Sequence, residues 1–87
     1  MPGTVALVGG RYCGATMNIR TEHNINFHLK KARKKHPDFA KNNAEIVAIA
    51  AEEFGEWAKE INENNLDNAN EEALDLIAVL IRFLEDD

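Results

Sequence analysis

The sequence predicts an all-α fold of short helices in an antiparallel arrangement, completed as a four-helix-bundle-like core by oligomerisation. Three segments repeat apolar residues at intervals of three and four, the spacing of one helix face. A His-Pro pair and an Asn-rich stretch separate these segments. The last segment is apolar nearly all round, and three short helices of one chain cannot cover it. We therefore expect a homodimer or a homotetramer.

The helix boundaries follow from capping residues and breakers. A first helix is predicted over residues 18–35 or 21–35, and His-Pro ends it. A second helix is predicted to begin at Asn42 or Asn43, both good N-caps, and to continue to about residue 64. The Asn-rich stretch over residues 62–70 predicts a turn. A third helix should then cover residues 70–84.

Length and composition restrict the class of protein. With 87 residues, of which 45% are hydrophobic, the chain is one globular domain. Residues 1–17 are interpreted as a leader and residues 18–87 as the single all-α domain. Cys13 is the one cysteine, so an intrachain disulfide is excluded. No apolar run approaches the roughly 18 residues of a membrane span. We expect a cytoplasmic protein that makes no membrane contact.

Charge is divided unevenly along the chain. Residues 1–36 carry seven Lys or Arg against one acid, a net +6. Residues 37–87 carry three Lys or Arg against fourteen acids, a net −11. An acidic half disfavours nucleic acid as a partner and suits a cation-binding site. The basic run over residues 30–35 favours nucleic acid, but no aromatic residues are interleaved with it.

Two of the predicted helices each carry a pair of acids three residues apart, so each pair lies on one helix face. The pairs are Glu53 with Glu56 and Glu72 with Asp75. Glu53 and Glu72 fall inside the apolar arcs of their helices, where an unpaired carboxylate is costly to bury. Other acids of the second helix are interpreted as solvated charges, namely Glu52, Glu60 and Glu63. Spacing leaves two interpretations of the pairs: a solvated acidic face, or a site for Mg²⁺ or Mn²⁺, which prefer oxygen ligands.

The order of these acids resembles that of the all-α NTP pyrophosphatases, the MazG-like superfamily. Glu52-Glu53-x-x-Glu56, fifteen intervening residues and Glu72-x-x-Asp75 are similar to the family's E-x-x-E, spacer, E-x-x-D pattern. The apolar residues that flank both motifs are similar as well. The resemblance implies an all-α fold whose protomers assemble so that their helices form a bundle.

The resemblance covers roughly residues 19–86 and implies a chemical activity. The implied protein is a Mg²⁺-dependent hydrolase that converts an NTP or dNTP and water to the monophosphate and pyrophosphate. The resemblance also implies a house-cleaning role, the removal of damaged or surplus nucleotides. Glu53, Glu56, Glu72 and Asp75 match the family's metal ligands position by position. The acceptor of the water's proton stays open between Glu52 and one of the ligand acids, such as Glu53.

Nucleotide contacts are predicted along the first helix, which helps to form the base pocket in the resembled family. Asn24, His28, Lys31 and Lys35 share a polar stripe. Asn24 is a candidate for reading a base edge and Lys31 for meeting a phosphate. The alternative is an ordinary solvated face. Trp57 is predicted to lie in the core, with base stacking as the alternative.

The chain departs from the family pattern where phosphate is expected. Many relatives have a tyrosine one turn after the final aspartate, whereas Ala78 and Val79 stand there in this chain. Arg82 lies on the same side of the helix as Asp75 and is the local candidate for a phosphate contact. Its alternative is a surface or interface arginine. The chain is also short for the family, which suggests a minimal subtype.

Two other functions remain open on the sequence. Phosphoribosyl-ATP pyrophosphohydrolase of histidine synthesis has a similar size and a similar E-x-x-D helix. A non-enzymatic helical dimerisation module would use the apolar third helix for self-association alone.

Overall fold

The computed structural model describes residues 17–86 as three helices. These are α1 over Ile19–Lys35, α2 over Asn43–Asn62 and α3 over Leu66–Glu85. No strand occurs within the described residues, which confirms the predicted all-α class. The predicted leader lies almost entirely outside them. None of the three helices is long and apolar enough to cross a membrane.

Asparagine side chains cap the first two helices. The Asn18 side-chain oxygen accepts hydrogen bonds from the backbone N–H groups of Arg20 and Thr21, at 2.8 and 3.2 Å. The Asn42 side-chain oxygen accepts from the backbone N–H of Glu45 at 2.9 Å. Each cap satisfies donors that have no partner inside the helix. Of the two predicted starts for each helix, the earlier one is therefore the N-cap in both cases, Asn18 rather than Thr21 and Asn42 rather than Asn43.

The turn between α2 and α3 is shorter than predicted. Asn64 adopts a left-handed φ of 60°, and the backbone N–H of Asn65 donates to the carbonyl of Glu60 at 2.9 Å. This is the Schellman end of a helix, which reverses the chain within a few residues. The prediction of a turn over residues 62–70 was wrong at its second half. Burial of Ala69, which is 2% exposed, stabilises helix where the Asn-rich composition suggested a loop.

Both other helices pack on α3, and α1 and α2 do not contact each other. The tight turn makes α2 antiparallel to α3. In contrast, α1 is parallel to α3, because His28 pairs with Asp75 and the later residue Arg33 pairs with the later residue Asp86. The chain therefore runs up, down and up, with α3 between two helices that leave a groove between them.

The core of one chain is small. Within residues 17–86 the buried apolar residues are Ile25 and Leu29 of α1 and Ala69 and Ala78 of α3, and α2 buries none. The sequence predicts that the three helices of one chain cannot cover α3 on most sides. In the described chain its Leu80 is 47% exposed. Polar contacts must therefore help to fix how the helices pack.

A buried arginine fastens α3 to the end of α1 and to the loop that follows. Arg82 is 3% exposed and donates to the Asp86 carboxylate at 2.8 Å. It also donates to the backbone carbonyls of Ala32 and Pro37, at 3.3 and 3.4 Å. Its guanidinium lies 4.6 Å from the centre of the Phe39 ring, a cation–π contact. These contacts hold the end of the groove together.

Replacing Arg82 with methionine should lower the free energy of unfolding by about 1–3 kcal/mol, because buried acceptors lose their donor. Urea unfolding followed by far-UV circular dichroism, at one protein concentration, measures this change. The matched control is Arg20→Met at the exposed start of α1, which should change stability by no more than about 0.5 kcal/mol. Equal losses in the two variants would contradict a specific role for the buried contacts.

Candidate functional site

Three of the four predicted carboxylate ligands converge across the α2–α3 hairpin. Residues equally distant from the turn face each other, so the pair Glu53 and Glu56 meets the α3 motif. One carboxylate oxygen from each of Glu53, Glu56 and Glu72 lies within 4.8 Å of the other two. Glu53 and Glu72 are half-buried and Glu56 is exposed. We call these three residues the carboxylate cluster.

The carboxylate cluster is electrostatically strained. Burial, and then the negative charge of Glu56, raises the pKa of Glu53 from 4.5 to about 7. Burial also raises the pKa of Glu72, followed by the charge of Glu56 and a hydrogen bond to it. Within residues 17–86, no basic side chain forms an ion pair with any of the three. A proton or a cation would relieve this repulsion.

Glu60 is a further carboxylate near the cluster, although the sequence predicts it to be a solvated charge. It follows Glu53 by seven residues and so shares its side of α2. Its Oε1 atom is buried and has no hydrogen-bond partner in the described part of the chain. Its negative charge also contributes to the raised pKa of Glu72. The spacing from Glu53 was the available signal, and the interpretation of Glu60 as a solvated charge was wrong.

The fourth predicted ligand, Asp75, lies at the edge of the carboxylate cluster. Its negative charge acts on both Glu53 and Glu72. Its Oδ1 atom is 2.9 Å from Nδ1 of His28 on α1. The structure thus gives Asp75 a partner on α1, whereas the three glutamates face one another across the hairpin.

The groove between α1 and α2 has walls of opposite charge. Its volume is about 480 Å³, and α3 forms its floor. The acids of α2 and α3 that line it are Glu52, Glu53 and Asp75. The side formed by α1 and the loop after it is predominantly basic, with Lys31, Lys35 and His36 against one acid, Asp38. Glu53 belongs to both the groove and the carboxylate cluster, so the two form one continuous site.

The remaining predicted substrate contacts lie in different environments. His28 and Arg82 line the groove, but both are buried, at 5% and 3% exposure, and both already contact protein groups. Asn24 is half-buried on α1 and is not a lining residue. Trp57 is half-buried on α2, outside the groove, with its ring 5.6 Å from that of Phe54.

The donor set suits a hard divalent cation. All three members of the carboxylate cluster offer oxygen atoms. Glu60, whose Oε1 atom has no hydrogen-bond partner in the described chain, is close enough for its negative charge to raise the pKa of Glu72. Oxygen ligands favour Mg²⁺ and Mn²⁺ over softer metals. The residues present therefore fit the cation that the motif led us to expect.

The chain matches no protein-family model, no curated protein and no solved structure.

Stability should fall as pH rises from about 4.5 to about 7 when no divalent cation is present. In this range folded Glu53 keeps a proton that the unfolded chain has released, so folding loses its advantage as the pH increases. Urea unfolding in EDTA at a series of pH values measures the slope. Glu53→Gln should flatten it, while Glu63→Gln at the exposed end of α2 should not. Identical slopes in all three proteins would contradict the raised pKa of Glu53.

Proposed function

We propose that the protein is a Mg²⁺-dependent nucleoside triphosphate pyrophosphohydrolase, which converts an NTP or dNTP and water to the monophosphate and pyrophosphate. The observation that carries this proposal is a carboxylate cluster continuous with a groove whose opposite wall is predominantly basic. A polyphosphate with a bound cation presents both negative oxygens and positive metal to such a site. A house-cleaning role, removal of damaged or surplus nucleotides, follows from the family resemblance.

In this proposal, Glu53, Glu56 and Glu72 hold Mg²⁺, or Mn²⁺, with Asp75 as the fourth carboxylate. The bound ion would supply neutralisation of charge on the phosphate oxygens. The raised pKa of Glu53 is consistent with a site that becomes less repulsive when a cation is bound. A cation held by all four residues would also bring the charge of Asp75 into the site.

The basic wall is assigned to the phosphates. Lys31 and Lys35 are exposed and line the groove opposite the acids, so their ammonium groups can reach an anionic ligand. Arg82 is committed to protein acceptors beneath them. We therefore assign Lys31 and Lys35, rather than Arg82, to the triphosphate. The predicted base contacts of Asn24 and Trp57 would lie outside this groove.

The chemical step requires a proton acceptor. The water oxygen forms a bond to the α-phosphorus, the α–β bridging P–O bond breaks, and its electron pair leaves with pyrophosphate. The proton of the water passes to a carboxylate. Glu52 is the better acceptor, because it lines the groove outside the carboxylate cluster and its lone pairs are not needed for a cation.

Self-association is the second part of the proposal. Val47, Phe54 and Ile61 are 66%, 54% and 42% exposed and recur every seven residues, so they form an apolar stripe on one side of α2. Glu52 and Glu56 fall roughly on the opposite side of the helical wheel. A second copy that packs its α2–α3 hairpin on this stripe would complete a four-helix bundle without covering the acids.

A product assay tests the activity. The wild type should convert members of a panel of canonical and modified NTPs, with Mg²⁺, to monophosphate and pyrophosphate. In water enriched in heavy oxygen, attack at the α-phosphorus places the label in the monophosphate. Glu53→Gln combined with Glu72→Gln should reduce turnover roughly 100-fold or more, since metal-ion catalysis contributes several kcal/mol.

The matched control for that assay also removes two carboxylates. Glu22→Gln combined with Glu63→Gln changes two exposed residues outside the carboxylate cluster and should retain activity. Phosphoribosyl-ATP belongs in the panel, since turnover of that compound alone would assign the same site to histidine synthesis. No turnover of any nucleotide would reject the enzymatic proposal and favour the helical dimerisation module.

Sedimentation velocity tests the association. The wild type should sediment as a dimer or tetramer, because an exposed apolar stripe of this kind is buried between copies. Phe54→Lys should shift it toward monomer, since a charge would be placed within the stripe. Glu63→Lys, on the opposite side of α2, should leave the assembly intact. A monomeric wild type at tens of micromolar protein would refute this part of the proposal.

A further inference from the structure

His28 occupies an unusual position for a residue on a polar helix stripe. It is 5% exposed, and its helical neighbours Ile25 and Leu29 are the two buried apolar residues of α1. A buried imidazole needs hydrogen-bond partners, because leaving its nitrogens unpaired is costly. The partners of His28 both come from α3.

Two carboxylates meet the two ring nitrogens of His28. Nδ1 lies 2.9 Å from Oδ1 of Asp75, and Nε2 lies 3.4 Å from Oε1 of Glu71. An ionised carboxylate can only accept, so the Nδ1–H group donates to Asp75. The shorter contact has the ordinary length of a hydrogen bond, and the longer one exceeds it and is a charge contact only. Asp75 is therefore the principal partner.

The hydrogen bond from His28 restrains the orientation of the Asp75 carboxylate. Its negative charge acts on Glu53 and Glu72, so repulsion favours turning its carboxylate away from the carboxylate cluster. It is also 44% exposed, and solvent alone would leave its rotamer undetermined. The hydrogen bond uses Oδ1 and leaves Oδ2 as a possible ligand atom. A buried donor on α1 thus fixes an acid of α3 beside the acids of α2.

We propose that His28 is a positioning residue, which holds the Asp75 carboxylate at the edge of the carboxylate cluster so that it completes the cation site. This inference rests on the proposed function and gives His28 a role other than nucleotide contact. Hydrogen bonds to ligating carboxylates orient the ligands, and their loss typically weakens metal affinity or activity about 10–100-fold.

Three substitutions of His28 distinguish the role of its Nδ1 atom from that of its Nε2 atom. In His28→Asn the amide nitrogen takes roughly the place of Nδ1 and can still donate to Asp75. In His28→Gln the amide nitrogen takes roughly the place of Nε2 and reaches toward Glu71 instead. His28→Leu fills the space without any donor. Glu71→Gln is the control for the weaker contact.

The primary measurement is Mn²⁺ binding without nucleotide, followed by the electron paramagnetic resonance signal of free Mn²⁺. His28→Leu and His28→Gln should bind Mn²⁺ about 10–100-fold more weakly than the wild type. His28→Asn and Glu71→Gln should stay within a few-fold of it. Far-UV circular dichroism reports whether each variant is folded, and the Asn and Gln variants decide the result if His28→Leu is not.

The outcomes distinguish this inference from the proposed function. Wild-type protein that binds no Mn²⁺ would overturn both. Wild-type binding that is unchanged in His28→Gln and His28→Leu would overturn the positioning role alone. An increase in the nucleotide KM of His28→Leu at saturating Mg²⁺, with Mn²⁺ affinity unchanged, would identify His28 as a substrate contact and would also overturn it.

Discussion

Carboxylates occupy the α2–α3 interface at positions where a helical hairpin ordinarily packs apolar side chains. Glu53 and Glu72 are half-buried there, and burial together with Glu56 raises the pKa of both. At the positions of Glu53 and Glu72, apolar side chains could be buried only if the carboxylate cluster were lost. Local conflict between burial and charge is typical of functional sites. The remaining packing of α3 must therefore stabilise the fold from its other sides, through α1 and, in our proposal, through a second copy.

The division of charge along the chain becomes a division across the groove. Six of the seven Lys and Arg residues within residues 1–36 lie in α1, and most of the acids of residues 37–87 lie in α2 and α3. Because α1 and α2 both pack on α3 without touching, the two signs of charge face each other across an open space. In our proposal, opposite walls of this kind bind a ligand that combines an anion with a cation.

Buried polar contacts supply much of the geometric definition that a small apolar core lacks. His28 and Arg82 are the buried polar residues of the described chain, and both join α1 or its following loop to α3. Each has several partners at fixed positions, so sliding of α1 along α3 would break more than one hydrogen bond. The groove therefore depends on these two residues for its shape, and the position of Asp75 depends on one of them.

The sequence by itself determined the three helices, because caps, apolar spacing and the His-Pro break are local signals. It also placed one acidic motif on each of two successive helices, but the short turn at Asn64 that brings the motifs opposite each other is a finding of the structure. Only the tertiary structure decided which side of α1 meets α3, and with it the burial of His28 and Arg82 and the partner of Asp75. A helical wheel gives directions relative to one helix axis alone. It cannot specify the neighbouring helix. For this reason the sequence predicts Glu60 to be a solvated charge and His28 to be a substrate contact, rather than residues of a helix interface.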